Sequence, residues 1–297
     1  MPVAISENIY EDAGMERFAN DGFGFDVTDT PAADGSGTGQ TCVLLHGFPE
    51  DRHCWAAVTP ALAEAGYRVL APDLRGYSAG ARPASRRAYT LSRLAGDVLA
   101  LADAAGVERF HVVGHDWGAA LAWSLAGRHR SRVISLSALS VPHPEAFLRA
   151  LAGSSQAVRS WYMVAFQIPG LPELALSRRG GRAMRDSLMR TGLDPVNADR
   201  YASRAADRAA MRGPLNWYRA LPFSLRDRPD RIDVPTLFLW SDGDRFICRA
   251  AAELCERYVD GPYRFEVLRG ASHWLPEEAP EQMTPLLIQH FAQAESS

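Results

Sequence analysis

The sequence contains no lysine, and all 32 of its basic residues are arginine. A lysine amine can form a Schiff base with a carbonyl substrate, so this absence excludes that chemistry. An arginine side chain stays protonated in any ordinary environment and cannot replace the amine as a nucleophile. Any covalent catalysis therefore depends on another residue type.

Cysteine is scarce as well. The four cysteines form no C-x-x-C pair and lie among apolar neighbours: Cys42, Cys54, Cys248 and Cys255. This pattern is typical of reduced, buried thiols in an intracellular protein. We therefore expect neither a disulfide framework nor a zinc site.

Long apolar runs are also absent. No segment approaches the roughly 18 uninterrupted apolar residues of a membrane-spanning helix. Residues 1–14 have neither the basic start nor the apolar stretch of a secretory leader. We therefore predict a non-secreted, cytoplasmic protein.

The chain lacks a strong excess of one charge, since 32 basic and 35 acidic residues give a net charge of −3. Because no strong field surrounds the molecule as a whole, we expect neither nucleic acid nor a membrane surface as a partner. The sequence leaves open whether the chain forms a homo-oligomer.

The sequence does contain enough apolar material for a large folded core. Of its 297 residues, 47% are hydrophobic, which excludes a disordered or fibrous protein. Apolar strand-like runs alternate with helical patterns of about 10 to 15 residues, as in a parallel sheet covered by helices on both faces. We therefore predict an α/β fold. The predicted strands are residues 23–30, 41–47, 67–73, 110–114, 132–139, 234–240 and 264–270, and the predicted helices are residues 55–65, 90–106 and 117–129.

Near the N-terminus, the first predicted strand is followed by a flexible, turn-rich stretch at residues 29–39. We interpret this region as a hairpin that leads into the core strand at residues 41–47.

The regular alternation stops near Pro142. Residues 143–231 show helical patterns without a convincing strand, and we interpret them as a helical cap inserted into a core domain of residues 1–142 and 232–297. The cap holds 15 arginines and 8 acidic residues, so its charge is +7 and that of the remainder is −10. The simplest interpretation is solvated, arginine-rich helix faces. The alternative is a cap that attracts acidic ligands or packs by charge against the core domain.

The most informative segment runs from Val112 to Trp123, where a short apolar strand leads through Gly114-His115-Asp116-Trp117-Gly118 into a helix rich in small residues. Glycines two residues before and after Asp116 allow a sharp turn that presents this side chain beside the N–H groups of the helix N-terminus. This predicts a nucleophile elbow with Asp116 at its tip. The alternative role, a simple helix cap, does not account for the paired glycines.

An aspartate at this position changes the chemistry. A carboxylate with an ordinary pKa of about 3.9 is ionised at neutral pH and needs no base for its first attack, but it reacts poorly with amides and esters. It suits displacement at a saturated carbon, which gives an alkyl ester on the enzyme. Serine esterase and protease activities are therefore disfavoured.

Such an ester must be hydrolysed, which requires a base for water. His273 follows the last predicted strand, within Gly270-Ala271-Ser272-His273-Trp274. An acid that orients the imidazole comes from Trp240-Ser241-Asp242-Gly243-Asp244, where Asp242 and Asp244 are both candidates. Nucleophile, acid and histidine then follow the chain order of an α/β-hydrolase triad.

Hydrolysis of the ester also requires donors for an oxyanion. Leu45-His46-Gly47-Phe48-Pro49 follows a buried strand and makes a tight turn that can aim the N–H of Phe48 into the site. The second predicted donor is the N–H of Trp117, the residue after the nucleophile.

With these motifs in order, the chain resembles the α/β-hydrolase superfamily and, within it, the epoxide hydrolases of the Asp-nucleophile type. The matching motifs are HGFP at residues 46–49, GHDWG at 114–118, WSDGD at 240–244 and SHW at 272–274. The resemblance covers nearly the whole length and implies that Asp244 is the acid of the triad. Haloalkane and haloacetate dehalogenases share the fold, the Asp nucleophile and the His base.

The leaving group separates these reactions. An epoxide opens to a strongly basic alkoxide that needs a proton donor with a pKa of about 10, whereas a halide leaves without a proton. Epoxide hydrolases use two cap tyrosines, and the segments around Tyr162 and Tyr218 look like the family's tyrosine-bearing segments. Without the resemblance, each tyrosine is simply a residue at the boundary of an amphipathic helix.

The resemblance therefore implies an epoxide hydrolase that acts on a small apolar epoxide and water, without a metal or organic cofactor. The predicted substrate pocket is aromatic, formed by Phe48, Trp117, Trp161 and Phe166. A dehalogenase is the first alternative, and a non-catalytic binding protein on the hydrolase scaffold is the second.

Overall fold

The structure, a computed structural model, describes residues 14–33 and 39–296. Two sequence predictions concern residues outside this description: the lack of a leader at residues 1–13 and the flexibility of residues 34–38.

Eight described strands form one sheet in the order β1-β2-β4-β3-β5-β6-β7-β8. They are β1 (Arg17–Asn20), β2 (Phe23–Thr30), β3 (Thr41–Leu45), β4 (Arg68–Pro72), β5 (Phe110–His115), β6 (Val133–Leu139), β7 (Thr236–Ser241) and β8 (Tyr263–Leu268). β2 pairs antiparallel with β1 and β4, and the remaining neighbours are parallel. The predicted α/β class is therefore confirmed.

Helices cover the sheet. Those between or after the strands are α1 (Thr59–Glu64), α2 (Leu91–Ala104), α3 (Trp117–Arg128), α11 (Arg249–Glu253), α12 (Leu275–Glu278) and α13 (Pro280–Glu295). Short 3-10 helices occupy Arg52–Trp55, Arg86–Tyr89, Leu221–Arg226 and Cys255–Tyr258. Within the described residues, no helix combines the length and the apolarity needed to cross a lipid bilayer.

The region from residue 143 to residue 231 is helical, as predicted. It contains α4 (Pro144–Gly153), α5 (Gln156–Arg159), α6 (Trp161–Ala165), α7 (Leu171–Ser177), α8 (Arg182–Arg190), α9 (Pro195–Ala205) and α10 (Arg208–Ala220). We call these helices the cap, and its separation from residues 1–142 and 232–297 as a domain stays an interpretation.

The central strands are apolar throughout because the sheet is covered on both faces. On β3, Val43 and Leu45 belong to one hydrophobic cluster, while Cys42 and Leu44 belong to the cluster on the other face. All four side chains are fully buried. A strand alternates its side chains between the two faces, so both faces of β3 require apolar residues.

Two local predictions differ from the structure. The N-terminal hairpin joins β1 to β2 through Asp21 and Gly22, both with positive φ, and β2 then pairs with β4. The predicted helix at residues 55–65 becomes a 3-10 turn followed by α1, which begins at Thr59 with Pro60 in its first turn. Proline suits a helix start, since its missing N–H has no partner there in any case.

The elbow requires close approach between the start of α3 and the end of β3. A Cβ atom placed on Gly118 would lie 2.0 Å from the carbonyl oxygen of Leu45. A Cβ atom placed on Gly114 would lie 2.1 Å from the carbonyl oxygen of Gly118. Neither glycine has a positive φ, so these positions need glycine for space.

Replacement of Gly118 by alanine should therefore destabilise the protein. Because the obstacle is backbone, we expect a loss of roughly 3 kcal/mol in the free energy of unfolding, measured by urea denaturation. Gly153→Ala at the end of α4 is the matched control, since a Cβ atom there meets nothing within 4 Å. The control should change stability by no more than about 1 kcal/mol. Equal stability of the two variants would contradict the packing argument.

Candidate active site

Asp116 lies at the turn between β5 and α3, with φ 50° and ψ −117°. A positive φ is strained for a residue other than glycine, and such strain persists only where the surrounding structure enforces it. The tight packing of Gly47 enforces it here, because a Cβ atom on Gly47 would lie 2.4 Å from the Cβ of Asp116. The structure thus presents the predicted nucleophile on a rigid turn.

The Asp116 carboxylate has two polar neighbours that favour its ionised form. The backbone N–H of Phe48 donates to Oδ1 at 2.8 Å, and Nε2 of His273 lies 3.6 Å from Oδ2. Burial is the largest single effect and raises the pKa of Asp116. The hydrogen bond and charge of His273, together with the charge of His115 and the N–H of Phe48, outweigh burial and lower this pKa below its ordinary value. The carboxylate is therefore ionised at neutral pH.

His273 lies between two carboxylates. Its Nδ1 lies 2.8 Å from Oδ2 of Asp244, while its Nε2 faces Asp116. Burial lowers the pKa of His273, but the charge of Asp244 and the contact with Asp116 reverse this effect and raise the pKa to about 10. The imidazole is therefore a cation in the resting site.

The structure distinguishes the two candidate acids. Asp244 is buried, and its Oδ1 accepts hydrogen bonds from the N–H groups of Phe246 at 2.7 Å and Ile247 at 2.9 Å. Asp242 is exposed and accepts from the N–H of Gly270 at 2.8 Å. Asp244 thus contacts the imidazole, whereas Asp242 shapes the turn.

Two buried residues that the sequence analysis did not assign connect the loops of the site. His115 Nε2 donates to the carbonyl oxygen of His273 at 2.8 Å, and His115 Nδ1 lies 2.7 Å from Oε1 of Glu50. Oε2 of Glu50 accepts from the N–H of Gly47 at 2.7 Å. His115 lies within the motif at residues 114–118 and Glu50 directly follows the one at residues 46–49, but a position in or beside a motif does not reveal which residues it contacts.

The predicted oxyanion donors lie on either side of the nucleophile. The N–H of Phe48 already contacts the Asp116 carboxylate. Trp117 is the first residue of α3, where N–H groups lack partners within the helix and point toward its N-terminus. This placement suits negative charge developing on the Asp116 carboxyl group.

Both predicted cap tyrosines reach the same cavity as Asp116. The cavity has a volume of about 450 Å³ and is lined by Asp116, Tyr162 from α6 and Tyr218 from α10. The two phenol rings have centroids 6.0 Å apart, and the Tyr218 ring packs at 5.0 Å against that of Trp117. Burial raises the pKa of both tyrosines, so each keeps its proton. Tyr201, the other cap tyrosine, instead donates to Oε1 of Glu277 at 2.6 Å.

The rest of the cavity wall is mostly apolar, including Val141, Phe147, Met163, Leu221 and Ile247. The polar side chains among the lining residues are the Asp116 carboxylate, the two phenols, Ser224 and Arg228, and Arg228 pairs with Glu145. Such a cavity favours an apolar molecule with a single polar centre.

The predicted aromatic pocket is only partly correct. Trp117 lines the cavity, whereas Phe48 and Phe166 pack behind it, with ring centroids 5.3 Å and 5.0 Å from that of Tyr218. Trp161 is 68% exposed and does not line the cavity, so its assignment as a substrate contact is wrong. It precedes Tyr162 on α6, and consecutive residues of a helix point about 100° apart.

The four cysteines are buried and unbridged. In the part of the chain that the structure describes, no group of three or more histidine, cysteine, aspartate or glutamate side chains is arranged to hold a metal ion.

Comparison with known proteins places this geometry in context. The family described as alpha/beta hydrolase fold matches residues 41–280. Epoxide hydrolase A of Mycobacterium tuberculosis is 34% identical, over 83% of this chain and 88% of the relative. Epoxide hydrolase 3 of Xenopus tropicalis is 31% identical, over 96% of this chain and 79% of the relative.

Solved structures give the same result. Epoxide hydrolase A from Mycobacterium thermoresistibile is similar with a TM-score of 0.75 and 28% identity, covering 92% of this chain and 96% of that one. An epoxide hydrolase from an endophytic Streptomyces is similar with a TM-score of 0.78 and 27% identity, covering 97% of this chain and 98% of that one.

Replacement of Asp116 by asparagine should lower the pKa of His273 from about 10. The substitution removes a negative charge that favours the imidazolium, and we expect a fall of roughly 1 to 3 units. NMR titration of the imidazole nitrogens measures this change. Asp242→Asn is the control, because Asp242 contacts Gly270 and should leave the His273 pKa unchanged. An unaltered pKa in Asp116→Asn would contradict the proposed charge coupling.

Proposed function

The chain belongs to the α/β-hydrolase fold family and, within it, to the epoxide hydrolases, and on this basis we propose that Asp116 opens an apolar epoxide to form an ester that is then hydrolysed to a vicinal diol. The observation that carries this proposal is the placement of Tyr162 and Tyr218 in one apolar cavity with Asp116. The cavity thus combines a nucleophile with two proton donors.

In the first step, the Asp116 carboxylate attacks one epoxide carbon, and the bond between that carbon and the ring oxygen breaks. The ring oxygen leaves as an alkoxide, which takes a proton from Tyr162 or Tyr218. The raised pKa of each tyrosine ensures that this proton is present in the resting site. The products of this step are a hydroxyalkyl ester on Asp116 and a tyrosinate.

Ester formation then lowers the pKa of His273 and thereby favours its neutral, basic form. Esterification removes the negative charge of Asp116, which is one cause of the raised His273 pKa. The imidazolium loses its proton to solvent, and the tyrosinate regains one from solvent, so the proton count balances. The neutral imidazole, still held by Asp244 at 2.8 Å, can now accept a proton from water.

In the second step, water transfers a proton to Nε2 of His273 and attacks the ester carbonyl carbon. The N–H groups of Phe48 and Trp117 stabilise the resulting oxyanion. The acyl C–O bond breaks, and the departing diol oxygen takes the proton from His273. Asp116 is left as a carboxylic acid, which passes the second proton of the water molecule to His273 and so restores the carboxylate and the imidazolium of the resting site. All the protons and electron pairs in this scheme come from side chains, substrate and water.

We also propose a cytoplasmic location, with a small apolar epoxide and water as substrates. The four buried, unbridged cysteines support a reducing compartment. The presence of the protein in the cytosolic or peripheral membrane fraction, with its thiols reduced, is the corresponding test.

Replacement of His273 by glutamine should stop the reaction after the first step. Asp116 remains able to open the epoxide, whereas no base is available for water, so the ester should accumulate. Intact-protein mass spectrometry should show a mass increase equal to one epoxide, located on the peptide that contains Asp116. His53→Gln is the control, because this exposed histidine lies outside the site. Normal turnover by His273→Gln, or halide release in place of epoxide opening, would contradict the proposal.

Replacement of Tyr162 or Tyr218 by phenylalanine should slow ester formation. Loss of a general acid typically costs a factor of about 100 or more, and the double variant should lose more than either single variant. Single-turnover kinetics measures the rate of ester formation directly. Tyr201→Phe is the matched control, because this buried phenol contacts Glu277 and does not line the cavity. An unchanged rate in the double variant would exclude the tyrosines as proton donors.

A further inference from the structure

Helices α5 to α7 expose a series of apolar side chains along the chain. Between residue 156 and residue 177, every exposed residue is apolar. The large side chains among them are 44% to 76% exposed: Val158, Trp161, Val164, Ile168, Leu171 and Leu174. We call these six residues the apolar face. Solvent-exposed patches of this kind mark interaction surfaces.

The polar side chains of this stretch point inward. Arg159 donates to the carbonyl oxygen of Asp244 at 2.6 Å, and Gln167 donates to that of Tyr218 at 2.9 Å. Glu173 is buried in an ion pair with Arg219 at 2.7 Å. The polar groups therefore stabilise the cap and leave the outer surface without charge.

Arginines border the apolar face at its C-terminal end. Arg178, Arg179 and Arg182 are exposed, and no carboxylate of the described residues pairs with them. Arg179 and Arg182 line a surface depression beside Asp186 and Asp199, but both of these aspartates contact Arg185. The border is therefore positively charged.

We propose that the apolar face binds the surface of an anionic lipid bilayer. Its apolar side chains would enter the boundary between headgroups and acyl chains, while Arg178, Arg179 and Arg182 contact lipid phosphates. A second copy is a poorer occupant, because in a twofold contact across the apolar face the partner's copy of that face offers the arginines no carboxylate. An anionic bilayer offers an apolar environment to the apolar side chains and phosphates to the arginines.

This inference differs from the sequence expectation of no membrane partner. That expectation used the net charge of −3, which is the sum of +7 on the cap and −10 on the remainder. The distribution of charge, together with the exposed apolar side chains, decides how a surface interacts.

The position of α6 connects membrane binding to the cavity. Tyr162 and Met163 line the cavity, whereas Trp161 and Val164 on the same helix face outward. An epoxide dissolved in the bilayer would then lie one helix away from Asp116. Delivery of such an epoxide from the bilayer to the cavity rests on the proposed function, whereas binding of the apolar face to the bilayer does not.

Trp161 provides a direct probe of binding. Of the seven tryptophans, all within the described residues, six are buried and Trp161 alone is exposed. Vesicles of phosphatidylcholine with phosphatidylglycerol should shift the tryptophan emission to shorter wavelength, protect it from acrylamide and sediment the full-length protein. Trp161→Phe should remove the spectral change. Vesicles of phosphatidylcholine alone should bind less protein.

Two pairs of variants test the two parts of the surface. Val158→Asp with Val164→Asp should reduce vesicle binding at least about ten-fold, whereas Val196→Asp, at an equally exposed valine on α9, should not. Arg178→Glu with Arg179→Glu should also reduce binding about ten-fold or more, mainly on anionic vesicles. Arg130→Glu with Arg257→Glu is the control, because this double variant makes the same change in charge outside the cap.

Failure of the wild-type protein to bind anionic vesicles would overturn the proposal, as would unchanged binding by the double valine variant. If that variant instead converted a dimer to a monomer in sedimentation velocity, without vesicle binding by the wild type, the occupant would be a second copy. Binding is measured without epoxide, and hydrolysis of a water-soluble epoxide is measured without vesicles. The two assays therefore distinguish failure of membrane binding from failure of the proposed function.

Discussion

The site depends on one imidazolium held between the buried carboxylate of Asp244 and the partly exposed carboxylate of Asp116. His273 lies 2.8 Å from Asp244 and 3.6 Å from Asp116, and this arrangement raises the pKa of His273 to about 10 while lowering that of Asp116. The resting site thus stores an ionised nucleophile beside a protonated base. Chemistry at Asp116 removes one of the two charges that raise the pKa of His273, and so favours the neutral imidazole that the second proposed step requires.

The rigid frame around this charge cluster is built by tight backbone packing and buried polar contacts. Gly118 packs against the end of β3, which fixes the elbow relative to the loop of Phe48. Glu50 and His115 then connect that loop to the carbonyl oxygen of His273. These contacts hold three loops from distant parts of the chain in fixed positions relative to one another. The cap adds the two phenols from the other side of the cavity.

Much of this was predictable where the signal is local in sequence. The elbow at Asp116, the order of nucleophile, acid and histidine along the chain, and the helical cap all follow from motifs and periodicity. The choice of Asp244 over Asp242 depends on a long-range contact, and the inward side of α6 depends on packing, which is why Trp161 was misassigned. The contact between Glu50 and His115 joins residues far apart in the chain, so no local pattern could reveal it. The charge of +7 on the cap could be counted from the sequence, but which arginines are exposed beside the apolar side chains depends on packing.

A single turnover in water enriched in oxygen-18 is the direct test of whether Asp116 is the nucleophile. With enzyme in excess over an epoxide, mass spectrometry follows the label in the diol and in the peptide that contains Asp116. The proposed two-step mechanism predicts an unlabelled first diol and label in the Asp116 carboxylate, because water attacks the ester carbonyl. Label in the first diol, with none in the peptide, would show that water opens the ring directly and would contradict the role of Asp116 as nucleophile.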